Sequence, residues 1–172
     1  MLFTLVKQDD TYQVQENGHL IYTIVQEKEG NLINILLKNP YEDVVLSFYQ
    51  IKKWYHILPV LKSHEFTMYE QEEKIGELRK SKNGFDMIYH DVTYHIYGGR
   101  HAAKRSVIIF DRQMQVAEFT IEENSCTVNF SNGVFGSIYA LCMYLFMEIM
   151  KENEFEEEAY LDHYQGMYMR SI

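Results

Sequence analysis

From residue 2 to residue 130 the chain alternates apolar and polar positions in short runs separated by turn-forming residues. LFTLVK, TYQVQE, HLIYTIVQ, NLINILLK, VVLSFYQI, EFTMYEQ, EKIGELRK, FDMIYH, TYHIYG, KRSVIIFD, MQVAEFTIE and SCTVNF are rich in Val, Ile, Thr, Tyr and Phe. Alternation of this kind, bounded by Asn, Asp, Gly or acidic pairs, predicts half-buried strands. Their spacing of roughly ten residues suits an antiparallel sandwich or barrel rather than βαβ units. Asn17-Gly18, following Glu16, is the pair that favours a tight hairpin, and Asn83-Gly84 repeats it. The stretch KKWYHILPVLK (52–62) reads either as a strand broken by Pro59 or as an irregular crossover.

An internal repeat runs through this pattern. FTMYEQEEKIGELRK (66–80) and VIIFDRQMQVAEFTI (107–121) align without a gap at an offset of forty-one residues. Met68 matches Ile109, Tyr69 matches Phe110, Glu70 matches Asp111 and Ile75 matches Val116. Gly76 then matches Ala117, Glu77 matches Glu118 and Leu78 matches Phe119. Each copy reads as strand, acidic turn, strand, with a small residue where the returning strand meets its neighbour. YQVQENGHLIYTIV (12–25) is a looser third version. The repeat concentrates apolar alternation rather than reactive side chains, so it reads as a packing unit.

The alternation ends at GVFGSIYALCMYLFMEIM (133–150), where fourteen of eighteen residues are apolar. This is the one strong helix pattern, with Ser131 and Asn132 as N-cap candidates. A helix apolar all round is either a membrane span or the centre of a protein core. At 1.5 Å per residue it reaches about 27 Å, the lower limit for a bilayer core. Glu148 falls in its last turn, and residues 113–132 contain no Lys or Arg to orient a span. The inward faces of the strands also need an apolar cover, and nothing else in the chain offers one. A buried helix is the expectation. Gly133, Gly136, Ser137 and Ala140 line one side of it, where backbone could approach a wall closely.

Composition narrows the function classes. The 172 residues suit one domain, with 47% hydrophobic, 24% charged and 15% aromatic residues. The net charge of −9 sets nucleic-acid binding aside, since that needs a basic surface. Cys126 and Cys142, the two cysteines, are too few for a disulfide framework or a four-thiolate metal site. MLFTLVKQDD lacks the basic and long apolar regions of an export signal. A cytoplasmic protein, or one peripheral to a membrane surface, is expected, without a transmembrane span.

A run of about twelve strands closed by one apolar helix resembles the tubby C-terminal-like superfamily. That group includes tubby proteins, phospholipid scramblases and the LURP-one-related proteins. The likeness is carried by the hairpins Phe66–Lys80 and Val107–Ile121, their Ile75-Gly76-Glu77 and Val116-Ala117-Glu118 steps, and the helix 133–150. It looks closest to the small bacterial LURP-one-related members. The resemblance implies a mainly β fold: a closed antiparallel β-barrel of about twelve strands around a buried hydrophobic C-terminal helix. Residues 1–150 would form that single domain, and 151–172 an acidic extension. The tubby phosphoinositide pocket is basic, and its residues do not map onto this acidic chain.

Motifs of catalysis are not found: no Walker loop, Rossmann glycine pattern, serine elbow or paired-cysteine metal motif occurs. His90 and His95 lie on neighbouring strands and could approach one another, but no third ligand is implied, so no metal or cofactor is expected. The local contrast with the acidic whole is YGGRHAAKR (97–105). Gly98 and Gly99 could turn backbone N–H groups outward, and Arg100, His101, Lys104 and Arg105 cluster beside them. Such a loop suits a phosphate or lipid headgroup, while a solvated hairpin loop is its plain structural reading. The tail Glu152–Asp162 reads as a solvated helix end, or as a partner-docking segment. The expected function is therefore non-enzymatic: a soluble barrel that binds an unknown protein partner or an anionic phospholipid surface. The alternative is a small-molecule or lipid carrier using the barrel mouth.

Overall fold

The structure, a computed structural model, describes residues 2–8, 11–52, 65–81, 84–101, 104–122, 124–131 and 136–151, with backbone alone for 99–101, 104–105 and 149–151. Every run named above forms a strand. They are β1 (Leu2–Gln8), β2 (Thr11–Glu16), β3 (His19–Glu29), β4 (Leu32–Lys38), β5 (Val44–Gln50), β6 (Phe66–Glu70), β7 (Glu73–Ser81), β8 (Gly84–Tyr89), β9 (Val92–His101), β10 (Lys104–Asp111), β11 (Met114–Ile121) and β12 (Ser125–Phe130). Consecutive strands pair antiparallel, and β1 pairs with β12, so the sheet closes into a barrel rather than a sandwich. Closure removes the exposed strand edges that an open sheet must protect.

The alternation read from the sequence becomes an inside and an outside. Leu5, Val14, Ile24, Leu37, Phe48, Met68, Leu78, Met87, Ile96, Ile109, Phe119 and Val128 point inward and are buried. Into this lining runs α1 (Gly136–Lys151), whose residues from Ile138 to Met147 are all buried. Its surface is apolar on every side because the wall surrounds it on every side. Phe119 meets Tyr139 at 6.1 Å and Phe146 at 5.2 Å, while Phe130 meets Tyr139 at 4.7 Å. Each aromatic pair contributes about 0.5–1.5 kcal/mol beyond its buried area. No helix among the described residues is long and apolar enough to cross a membrane.

The described part of the helix starts at Gly136; residues 132–135, including Gly133 and the candidate cap Asn132, lie outside the described residues. The other cap candidate, Ser131, turns to the preceding strands: its backbone N–H and its hydroxyl both donate to the Val116 carbonyl, at 3.1 and 3.4 Å, closing β12 onto β11. Of the small residues, Ala140 is fully buried, whereas a Cβ on Gly136 would meet the Phe3 ring at an ordinary 3.8 Å. Close backbone approach does not require a glycine there.

Four hairpins carry a register shift near their turns: β2–β3 at Val14/Gln15, β4–β5 at Leu37/Lys38, β6–β7 at Met68/Tyr69 and β10–β11 at Ile109/Phe110. A bulge adds local twist and bends its strand, which helps a sheet to close. All four lie at the end where α1 enters, beside Phe3. The three hairpins of the sequence repeat share this device, with Ile21, Ile75 and Val116 as the extra residues. The repeat also runs further than its sequence showed. His90 N–H donates to the Ile75 carbonyl at 3.2 Å, as Ser131 N–H does to Val116, and Gly76 stands opposite Tyr89 as Ala117 stands opposite Phe130. The repeating unit is three strands.

Residues 53–64 lie outside the described residues, so the choice between broken strand and crossover falls there. The ends of that connection are adjacent, since Ile51 N–H donates to the Glu65 carbonyl at 2.8 Å. The acidic tail from residue 152 and Asn83 also lie outside.

Candidate functional site

The meander fixes which connections share an end. Those after β1, β3, β5, β7, β9 and β11 lie at the end where α1 leaves; those after β2, β4, β6, β8 and β10 lie where it enters.

At the exit end, the stretch read as a loop is almost entirely strand. Gly98 pairs with Val107, Gly99 with Ser106, Arg100 with Arg105 and His101 with Lys104; only residues 102 and 103 lie outside the described ladder. Gly98 and Gly99 are thus ladder members. The strand register brings all six candidate residues together at the last rungs of β9 and β10. It also sets two arginines directly opposite one another, an arrangement that destabilises a ladder when nothing anionic offsets it. Sequence reasoning missed Ser106. This residue is buried, and its hydroxyl has no hydrogen-bond partner among the described residues. Its register partner Gly99 has no side chain to cover it. The signal was its place directly after Lys104-Arg105 in a strand otherwise apolar.

A polar cluster at the same end pins α1 to the wall. Tyr12 Oη donates to Glu148 Oε1 at 3.3 Å, and Tyr144 Oη donates to Gln26 Oε1 at 2.5 Å. The Tyr12 and Tyr144 rings pack edge-to-face at 4.7 Å, with Lys7 Nζ 5.9 Å from the Tyr12 ring. Burial first, then the negative charge of Glu148, holds the Tyr144 phenol well above its ordinary value. Glu148 is half-buried, as expected where the helix leaves the barrel.

The histidines take separate partners. His90 sits in the β8–β9 turn with its ring 4.3 Å from that of Tyr89, whereas His95 Nδ1 is 2.8 Å from Asp86 Oδ1 on the outer wall. No group of three metal-ligating side chains occurs among the described residues. Cys126 and Cys142 are buried, and desolvation raises both thiols far above the range in which a thiolate forms.

The described connections at the two ends differ in charge. The entry-end connections, from the last residue of one strand to the first of the next, carry Glu16, Glu42, Asp43, Glu70, Glu72, Glu73, Asp91 and Asp111 against Lys38 and Arg112. The exit end is balanced among the described residues, with Glu29, Glu65 and Glu122 against Lys52, Lys104 and Lys151. Two depressions open on the wall at the entry end. One, of about 680 Å³, lies where β5 and β6 part and is lined by Leu36, Val44, Leu46, Ser47, Tyr49, Tyr69, Gln71 and Glu72. The other, of about 440 Å³, lies over β7 and β8 beside Lys74, Glu77, Arg79, His90 and Asp91. There Lys74 and Arg79 both bond the Glu77 carboxylate. The Lys74 hydrogen bond, then that of Arg79, holds its pKa below the ordinary carboxylate value against the opposing effect of burial.

The chain shares its barrel fold with a solved plant protein. An X-ray structure of a protein from Arabidopsis thaliana superposes with a TM-score of 0.58, covering 87% of this chain and 90% of that one at 11% identity. At that identity the likeness concerns the fold alone. Comparison with protein-family profiles gave no match, and comparison with curated protein sequences gave none either.

Proposed function

We propose that the chain is a tubby C-terminal-like barrel that binds rather than catalyses, and that it holds a phosphate-bearing anion at the exit end of β9 and β10. The observation that carries this reading is the register of that ladder, Arg100 opposite Arg105 and His101 opposite Lys104. A bound anion would turn that repulsion into attraction. Membership of the tubby-like group is supported by the closed twelve-strand barrel and its single buried C-terminal helix. Binding at a membrane surface from the cytoplasm is the setting such a site would suit. A carrier holding its cargo within the barrel is disfavoured, because α1 fills the axis.

The test is cosedimentation with phosphatidylcholine vesicles with and without phosphatidylserine. The parent chain should pellet with the anionic vesicles only, and joint replacement of Arg100, Lys104 and Arg105 by Ala should weaken this at least about tenfold, about 1.4 kcal/mol. Equal binding by the variant, or no binding by the parent, removes the reading.

A further inference from the structure

Most of the exposed large apolar side chains among the described residues gather at the entry end of the barrel. Leu2, Leu20, Tyr41, Val44, Val92 and Met114 all stand on its turns or on strand residues next to them, with Tyr41 86% and Met114 68% exposed. Tyr49 is the exception, on the outer wall near the far end of β5. Single exposed apolar residues scattered over a surface are ordinary, but six at one end are not. Tyr41 is not a frayed tip. Asn39 Oδ1 accepts the backbone N–H groups of Tyr41 and Asp43 at 2.9 and 3.0 Å, so an ordered turn presents the ring to water.

Beside that turn the wall opens. The β5–β6 ladder stops at Ser47 opposite Tyr69, while β5 continues down to Val44 and the short β6–β7 hairpin closes at Gln71-Glu72. The gap is the 680 Å³ cleft, with Leu36 and Leu46 in its floor and Tyr49 and Tyr69 in edge-to-face contact at 5.5 Å. Its lip is formed by Gln71 and Glu72, both left-handed at φ +47° and +70°. Asn-Gly would take that turn with less strain, and strained residues of this kind cluster where side chains are used. An apolar cleft with an acidic lip, on an acidic rim, is complementary to an apolar side chain flanked by cations.

We propose that the entry end is a docking surface for a basic polypeptide segment, which inserts one large apolar side chain into the β5–β6 cleft and rests its cations on the surrounding carboxylates. Anionic membranes and nucleic acid are repelled by this rim. A second copy presenting the same end meets its own carboxylates. The surface lies opposite the anion site, and the proposal stands whether or not that site binds.

The probe is a short amphipathic peptide of Leu and Lys, titrated into the full chain and followed by amide chemical-shift changes. Two control peptides replace its Lys by Glu or its Leu by Ser. The Leu/Lys peptide should shift residues around 41–49 and 69–73, and both controls should bind at least about tenfold more weakly. Glu72→Lys, and Tyr41→Ser with Val44→Ser, should each weaken the Leu/Lys peptide by about tenfold with the circular dichroism spectrum unchanged. The triple Ala variant at Arg100, Lys104 and Arg105 should bind it as the parent does. Equal binding of the Ser/Lys peptide would show attraction by charge alone and overturn the proposal. So would shifts elsewhere, no binding, or a concentration-dependent dimer in native mass spectrometry that Tyr41→Ser abolishes, since the occupant would then be a second copy.

Discussion

The β6–β7 and β10–β11 hairpins have the same frame and solve it differently. Each carries a two-residue turn, a bulge on the returning strand and a carbonyl at the bulge, Ile75 or Val116, that caps the third strand. In the first hairpin the position after the bulge is Gly76, where a Cβ would lie 2.0 Å from the Ile88 carbonyl oxygen and 2.7 Å from Met68 Cε. In the second it is Ala117, buried and accommodated. The first turn has both residues left-handed, Gln71 and Glu72; the second has only Arg112 so. Glu77 is held between two cations, while its counterpart Glu118 faces solvent with Gln115 Nε2 3.4 Å away. A common backbone device therefore leaves side-chain requirements free to diverge.

The sharpest way to break the equivalence is to exchange the residues after the bulge. Gly76→Ala should cost about 3 kcal/mol or more, since the blocking atom is backbone, whereas Ala117→Gly should cost about 1 kcal/mol. Urea unfolding of both variants measures the difference, and equal costs would mean that the β7–β8 approach relaxes. The turns give a smaller contrast of opposite sign. Glu72→Gly should stabilise by about 0.5–1 kcal/mol by relieving a left-handed non-glycine residue, and Gln113→Gly at the matching position should not stabilise at all. Thermal unfolding distinguishes them.

Glu77→Gln gives the smallest effect, about 0.5 kcal/mol or less at neutral pH for a pair of this type. Its pKa is lower folded than unfolded, so its contribution is present above the unfolded value and is lost as pH falls through the folded one. The gap between parent and variant should be present at neutral pH and close in acid. Unfolding midpoints between neutral pH and acid check both.

How much of this was legible follows from which forces are local. The twelve strands were readable because inward residues such as Val14, Phe48 and Phe119 alternate with polar neighbours, and turn residues such as Asn17-Gly18 stop them. Barrel closure was legible only through the likeness of the whole layout, because the pairing of Leu5 with Cys126 leaves no mark near either residue. YGGRHAAKR looked like a loop because two glycines and four basic residues seldom build a strand. Pairing with β10 overrides that preference. Ser131 looked like a cap, whose oxygen would accept a backbone N–H, whereas its hydroxyl donates to the Val116 carbonyl, a partner fifteen residues away that local pattern does not reveal. The asymmetry between the ends was invisible because Leu20, Tyr41, Val92 and Met114 are far apart in sequence and come together only once the meander assigns every second turn to one end.

The position of the plug in the chain has a consequence for how the molecule is made. The first strand waits for the twelfth, and the lining waits for a helix that follows the twelfth. A nascent chain emerging from the ribosome therefore cannot complete any part of the barrel until its closing segments have been synthesised. Until then it displays a dozen half-apolar strands, which favours slow folding, exposure to aggregation and assistance by chaperones over assembly piece by piece.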